Sequence, residues 1–498
     1  MKKQSYNNPV FYISGSIILL LVIIGAILPV QFGEVAQTLF SFTTVNFGWL
    51  YLLAVFMFVI FLIALSVSKH GKTRLGPQNS RPEYPFFTWI GMLFSAGFGS
   101  GLVFWGVAEP MSHFFETPFP ELGSKTEEAA RVAMGYAFFH WGISQWSVFA
   151  VVGLIIAYNQ FKKEKNGLIS TAIKPVVGKN IIIKNTIDSL AVIATVMGVA
   201  TSLGLGILQM TGGLSSIFGF QNSTFLQIII AVVILILYLL STSTGLNKGI
   251  KWLSNLNLGL ALLLLLFVFF VGPTVFILNS LVLGLGDYLT NFIEYSLRLT
   301  PYQGGSWVRD WTIFYWAWAI AWSPFVGAFV ARVSRGRTIR EFVIGVLIVP
   351  PAIACLWVAA FGGAALHSDL MNGTKIAEAV NRDVAVALFE TFGVMPLTIL
   401  MSILSILLIF TFLVTSADSA TYILSSMTSK GSLNPALMVK IIWGVLITAI
   451  AVVLLLAGGL DALQTASLIS ALPFTIILII IVIAFIKLLK VNYAAKKE

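Results

Sequence analysis

The chain has 498 residues, 58% hydrophobic and 10% charged, with a mean hydropathy of +0.94 and a formal net charge of +10. A soluble domain has no use for that much apolar surface, and the single cysteine, Cys355, supports neither a disulfide framework nor a thiolate metal site. What remains is a polytopic membrane protein whose spans are helices, because backbone groups in lipid must be satisfied internally.

Twelve apolar spans are predicted, centred near residues 20, 58, 97, 145, 200, 232, 263, 321, 352, 408, 447 and 476. The first, residues 10–30, is too long for a signal peptide and lacks a small-residue cleavage site. With these spans, 24 of the 30 Lys and Arg fall in loops on one side of the membrane, including residues 162–184 and 332–340. That alternation predicts both termini on the cytoplasmic side, and it makes the basic charge a matter of topology and anionic lipid, not of nucleic acid.

The third span contains Ser95-Ala96-Gly97-Phe98-Gly99-Ser100-Gly101. Three alternate glycines make a continuous helix costly, at about 1 kcal/mol each relative to Ala. The run is read either as tight helix packing or as an interrupted helix that lines a site. The fourth span carries His140, Trp141, Trp146 and Phe149, and on one continuous helix the three large rings share a broad face. The fifth carries Thr195 and Val199.

Residues 278–299 read as an amphipathic helix on the outer surface, and residues 374–390 as a second short outer helix. Between them the eighth span places four Trp among residues 311–322, then Ser323-Pro324 and, after Phe325 and Val326, Gly327. Trp gathers at membrane interfaces, so rings at mid-span beside an expected helix break read as a binding wall. Trp318 and Trp322 share a helix face, and aromatic faces attract quaternary ammonium groups. Interrupted third and eighth spans would point to an inverted repeat.

The tenth span runs Phe412-Leu413-Val414-Thr415-Ser416-Ala417-Asp418-Ser419. Hydroxyls at this depth often bond back to their own helix. The alternative is that they face the third span and supply neutral oxygens to a monovalent cation. Among the intramembrane acids, Glu109 and Asp188 sit near span ends and read as structural, and Asp418 as a packing or supporting group. There is no HExxH and no phosphate loop, and the four His are scattered, so enzyme chemistry finds no support.

The run DWTIFYWAWAIAWSPFVGAFVARVSRGRTIREF, residues 310–342, resembles the signature of the betaine/choline/carnitine transporter family, and the similarity extends over nearly the whole chain. The resemblance implies an all-α fold with a five-plus-five inverted repeat of the LeuT type. Residues 1–84 would be a tail and two additional helices, and 85–275 the first repeat. Residues 276–308 would be an outer amphipathic connector, 309–490 the second repeat and 491–498 a short basic tail. It implies a substrate site from Trp141, Trp146, Phe149, Trp318, Ala319 and Trp322 with Gly97, Gly99 and Gly101. It also implies a sodium site from Thr415, Ser416 and the carbonyls of Ser95, Phe98 and Phe412.

At a second sodium site Thr195 and Phe325 match, but Val199 stands where a Thr is expected. Two further positions depart from the family pattern: Phe149 replaces a usual Tyr, and Ala319 a usual Trp. The expected activity is sodium-coupled symport of a small zwitterionic or quaternary-ammonium osmolyte by alternating access, foremost glycine betaine. Sodium-independent exchange of trimethylammonium compounds is an alternative, as is uptake of choline, carnitine, proline, ectoine or taurine. No cofactor beyond the coupling ion is expected. The partners are the osmolyte and membrane lipid, with a homotrimer implied by the resemblance.

Overall fold

The computed structural model describes residues 8–97, 99–244, 247–302 and 304–494. Phe98 lies outside them, as do the tail residues 1–7 and 495–498. The helices in order are α1 (Pro9–Ile27), α2 (Pro29–Val67), α3 (Phe86–Gly97), α4 (Ser100–Phe115), α5 (Glu127–Trp141) and α6 (Ile143–Ala157). There follow α7 (Ile169–Val177), α8 (Ile181–Phe218), α9 (Thr224–Thr244), α10 (Asn247–Val271), α11 (Thr274–Thr290) and α12 (Phe292–Leu297). The last are α13 (Phe314–Val333), α14 (Ile339–Asn372), α15 (Ile376–Arg382), α16 (Ala387–Gly393), α17 (Thr398–Thr428) and α18 (Leu437–Ala494). Among the described residues there is no strand, only an isolated bridge between Arg74 and Thr338.

Among the described residues, ten helical stretches are long and apolar enough to cross a membrane. The third expected span is instead the pair α3 and α4, and the last two are joined in α18, which is kinked at Gly458 and Gly459. Burial separates centre from rim. The most apolar stretch of residues 127–162 is 94% buried, and that of residues 181–218 is 89% buried, against 22% for α1. α13 packs against α6, α8 and α18 at the centre. Exposed side chains such as Leu20, Val67, Phe225 and Phe270 form an apolar outer surface that suits lipid and not water.

Three backbone features shape the centre. The glycine run does interrupt the third span: α3 ends at Gly97, and Gly99 is fully extended (φ −165°, ψ 169°) before α4 begins. The fourth span is also interrupted, which sequence reasoning did not anticipate. Gly142 (φ −85°, ψ −151°) separates α5 from α6, and the freed amide of Ile143 donates to the Tyr288 hydroxyl of α11 at 3.0 Å. A Cβ at 142 would lie 2.5 Å from that hydroxyl, so glycine is required by close approach.

The expected break at Ser323-Pro324 is absent, and α13 runs straight through it. Proline leaves the carbonyl four residues back without its amide partner. Here that carbonyl is Ile320, and the Ser323 hydroxyl donates to it at 2.7 Å. The side chain repairs the bond that the backbone cannot make. The irregularity in this span lies earlier, in one π-type turn at Arg309–Ile313.

The two segments expected on the outer surface are each divided. Residues 274–297 form α11 and α12, and residues 376–393 form α15, a 3₁₀ turn and α16. α11 is pinned to α5 through buried Asp287, which pairs with Arg131 and accepts from Tyr295 at 2.6 Å and Asn291 at 3.2 Å.

Candidate functional site

The aromatic residues singled out from the sequence come together at the two helix breaks. Trp318 stacks on Trp322, centroids 6.1 Å apart and planes 20° from parallel. Trp141 meets Trp318 edge-on at 6.1 Å. Trp146 meets Phe149 at 5.2 Å, and Phe149 meets Trp322 at 6.0 Å, both edge-on. Phe325 follows Trp322 at 5.8 Å. The break at Gly142 means that Trp141 sits on α5 and the other two fourth-span rings on α6, so a single-helix projection does not apply. Gly101 is the floor of the cluster: the position of its missing Cβ is taken by the Trp318 ring, with Trp141 at 3.6 Å. Gly99 approaches Trp322 at 3.9 Å by the same measure. Gly97 closes α3.

A cavity of about 1180 Å³ reaches this cluster. Its deep wall includes Gly99, Ser100, Val199, Ser202, Trp322 and Phe325, and its mouth Arg332, Arg335 and Lys440. It therefore opens on the side of the basic loops. Of the four expected Trp, Trp322 is the one it touches. Trp141, Trp146, Phe149, Trp318 and Ala319 are buried and lie outside its wall. Trp318 donates its indole N–H to Ser202 at 3.3 Å.

The hydroxyl cluster borders the same cavity: Ser95, Phe412, Thr415 and Ser416 all line it. Thr415 donates to the carbonyls of its own helix, Thr411 at 3.0 Å and Phe412 at 3.1 Å, and accepts from Asn257 at 3.2 Å. Back-bonding spends the hydroxyl proton and Asn257 takes one lone pair, so one lone pair remains for a cation. Thr195 likewise bonds back to Ala191 at 2.7 Å, while Val199 and Phe325 face the cavity.

On the opposite side the path is filled. His113 packs against Trp307 at 4.8 Å and Trp311 at 4.5 Å, and Tyr136 stacks on Tyr295 at 3.9 Å. Arg298 lies 3.9 Å over Phe119 and donates to Tyr136 at 3.0 Å. Beyond them Lys125 donates to Glu378 at 2.8 Å, which holds that carboxyl below the usual carboxylate range.

A family model for the betaine/carnitine/choline transporters matches residues 9–494. The chain belongs to that family. Its members are transporters and not enzymes, and their substrates are small-molecule osmolytes. The chain is 71% identical to an ectoine/hydroxyectoine transporter of Virgibacillus pantothenticus over 98% of both chains. It is 46% identical to the glycine betaine transporter OpuD of Bacillus subtilis (strain 168), over 95% of this chain and 93% of that one. An osmo-dependent choline transporter, BetT2 of Acinetobacter baylyi, is 35% identical over 98% of this chain and 72% of its own length.

Within this betaine/carnitine/choline transporter, sequence reasoning undervalued Glu109. It is fully buried, and four groups converge on its carboxylate. Oε1 lies 2.6 Å from His140 Nδ1 and 3.2 Å from His113 Nε2. Oε2 accepts from Trp141 Nε1 at 2.9 Å and from the Tyr315 hydroxyl. His140 Nε2 continues to Thr312 at 2.9 Å, and its ring stacks on Tyr315 at 4.6 Å. The ligand atoms of Glu109, His113 and His140 lie within 4.8 Å of one another, but hydrogen-bonding groups of the protein already occupy both carboxylate oxygens. We read the group as a hydrogen-bond network and not as a metal centre. The one sequence signal was an acid among apolar residues.

Proposed function

We propose that this protein is a sodium-coupled importer of a small cyclic or methylated zwitterion, with ectoine as its main substrate. The observation that carries the reading is the clustering of Trp141, Trp146, Trp318 and Trp322 beside the breaks in the third and fourth spans, with Trp322 bordering the cavity. Ectoine is a cyclic zwitterion that joins a planar amidinium to a carboxylate. The high identity to an ectoine/hydroxyectoine transporter supports it, as do Phe149 and Ala319, which give up a hydroxyl and a ring that the family pattern supplies. Glycine betaine is the second reading, favoured by the similarity to OpuD.

The mechanism proposed is alternating access. The cavity on the basic side and the filled aromatic path opposite correspond to an inward-open state. Twelve crossings follow if the α3–α4 pair counts as one and α18 as two. The five-plus-five repeat would then occupy residues 85–275 and 309–490, after two additional helices within 1–84. Residues 276–308 would be the outer connector and 491–498 a cytoplasmic tail, and a homotrimer in the lipid bilayer completes this reading. Sodium would bind among Ser95, Phe98, Phe412, Thr415 and Ser416, and more weakly near Thr195, Val199 and Phe325. Each sodium charge moved contributes about 2.3 kcal/mol per 100 mV of membrane potential.

Uptake of labelled ectoine and glycine betaine into proteoliposomes, with and without a sodium gradient, tests both halves. Ectoine is expected to show the lower KM, and sodium to be required. Equal uptake in sodium and potassium would end the coupling claim. Thr415→Ala with Ser416→Ala is expected to raise the half-maximal sodium concentration about tenfold, roughly one lost contact of ~1.4 kcal/mol.

Orientation has its own test. Single cysteines at Lys165 and Arg335, in a Cys355→Ser background, are expected to react with an impermeant thiol reagent only after the membrane is opened. Labelling in intact cells would reverse the topology.

A further inference from the structure

We propose that Glu109 is a positioning residue for the substrate site, fixing the Trp141 indole and the Tyr315 phenol as its outer wall. The inference rests on the reading of Trp141 as part of that site.

An indole N–H donates and cannot accept. The Trp141 N–H points at Glu109 Oε2 at 2.9 Å, and with Trp141 only 6% exposed and Glu109 0% exposed, water offers no substitute. Tyr315 reaches the same oxygen. Tyr315, Trp318 and Trp322 follow at helical spacing on α13, so the carboxylate fixes the first member of the series directly. Trp141 in turn meets Tyr315 at 5.8 Å and Trp318 at 6.1 Å, both edge-on. The chain of contacts from Glu109 through Trp141 and Trp318 ends on Trp322, which touches the cavity.

The network also spans the helices that must keep register. Glu109 and His113 lie on α4, His140 and Trp141 at the end of α5 beside the Gly142 break, and Thr312 in the π-type turn before α13. His140 bridges α4 and the π-type turn, with 2.6 Å to Glu109 and 2.9 Å to Thr312. At the place where the backbone hydrogen bonds of two spans are irregular, one carboxylate and one imidazole hold the rings in place.

The experiment is a double-mutant cycle read as KM and kcat for ectoine and glycine betaine in proteoliposomes. Glu109→Gln is expected to raise KM tenfold or more while kcat changes less than threefold, and to alter the ratio of the two KM values. Trp141→Phe keeps a ring but has no N–H to place. In that background Glu109→Gln should add clearly less than its full tenfold, leaving only the share that acts through Tyr315.

Trp141→Phe with an unchanged KM would remove the substrate-site reading itself. A raised KM for Trp141→Phe with an unchanged KM for Glu109→Gln, or with full additivity of the two, would overturn the positioning role alone. A fall in kcat with KM constant would also overturn it. If Glu109→Gln does not reach the membrane, Tyr315→Phe replaces it. That variant removes one donor to Oε2 and leaves the carboxylate. A rise in KM of threefold or more supports the proposal, and an unchanged KM refutes it.

Discussion

Gly101→Ala is expected to lower substrate affinity by roughly five- to 150-fold, the range that corresponds to an overpacking cost of about 1–3 kcal/mol. The added methyl would overlap the Trp318 ring, lying 3.1 Å from its Cζ2 and closer still to the ring's outer edge, and would sit 3.6 Å from Trp141. Neither indole can retreat easily. Trp318 is stacked between Phe314 and Trp322 and hydrogen-bonded to Ser202. Trp141 is tied to Glu109. Gly91→Ala is the matched control, because a Cβ there meets nothing within 4 Å. Ligand-induced change in tryptophan fluorescence on purified protein gives the affinity. If Gly101→Ala binds as tightly as the Gly91→Ala control, the ring cluster is not where the substrate sits.

Trp322→Leu is expected to weaken binding by a few-fold to thirtyfold, or about 0.5–2 kcal/mol, the loss of one cation–π contact in a partly desolvated site. Leucine keeps apolar bulk and removes the ring face. Trp322 is the appropriate target because it alone among the four expected Trp borders the cavity. Trp146→Leu acts through Phe149, one ring further back, and should cost less. The ratio of KM values for a cationic ligand to a net-neutral one separates the quadrupole from simple packing. Normal binding by both variants would make the Trp structural.

The residues that cluster at the candidate site stood out in the sequence because each carries its own chemical signature: rings at mid-span, hydroxyl pairs at depth, glycines at alternate positions. The break at Gly99 followed from the third of these. What the sequence concealed depended on partners far along the chain. Gly142 reads as an ordinary small residue until Tyr288, on another helix, is found capping Ile143. Pro324 reads as a break until its neighbour's hydroxyl is found on the Ile320 carbonyl. Glu109 reads as a span-end acid until two separate helices, α5 and α13, bring His140, Trp141 and Tyr315 to it. Thr415 showed the reverse: the local back-bonding that hydroxyls favour is present, and the cavity lies beside it as well.

The repair at Ser323 has a mechanical consequence. Membrane helices resist bending because opening a backbone bond leaves an unpaired acceptor in a medium without water. At Ile320 the acceptor is held by a side chain that turns about χ1, not by an amide fixed in the peptide plane. α13 can flex there while the Ser323 hydroxyl follows the carbonyl. This compliant joint spans Ile320 to Pro324, so Trp318 before it and Phe325 after it can change their relative tilt without breaking the helix.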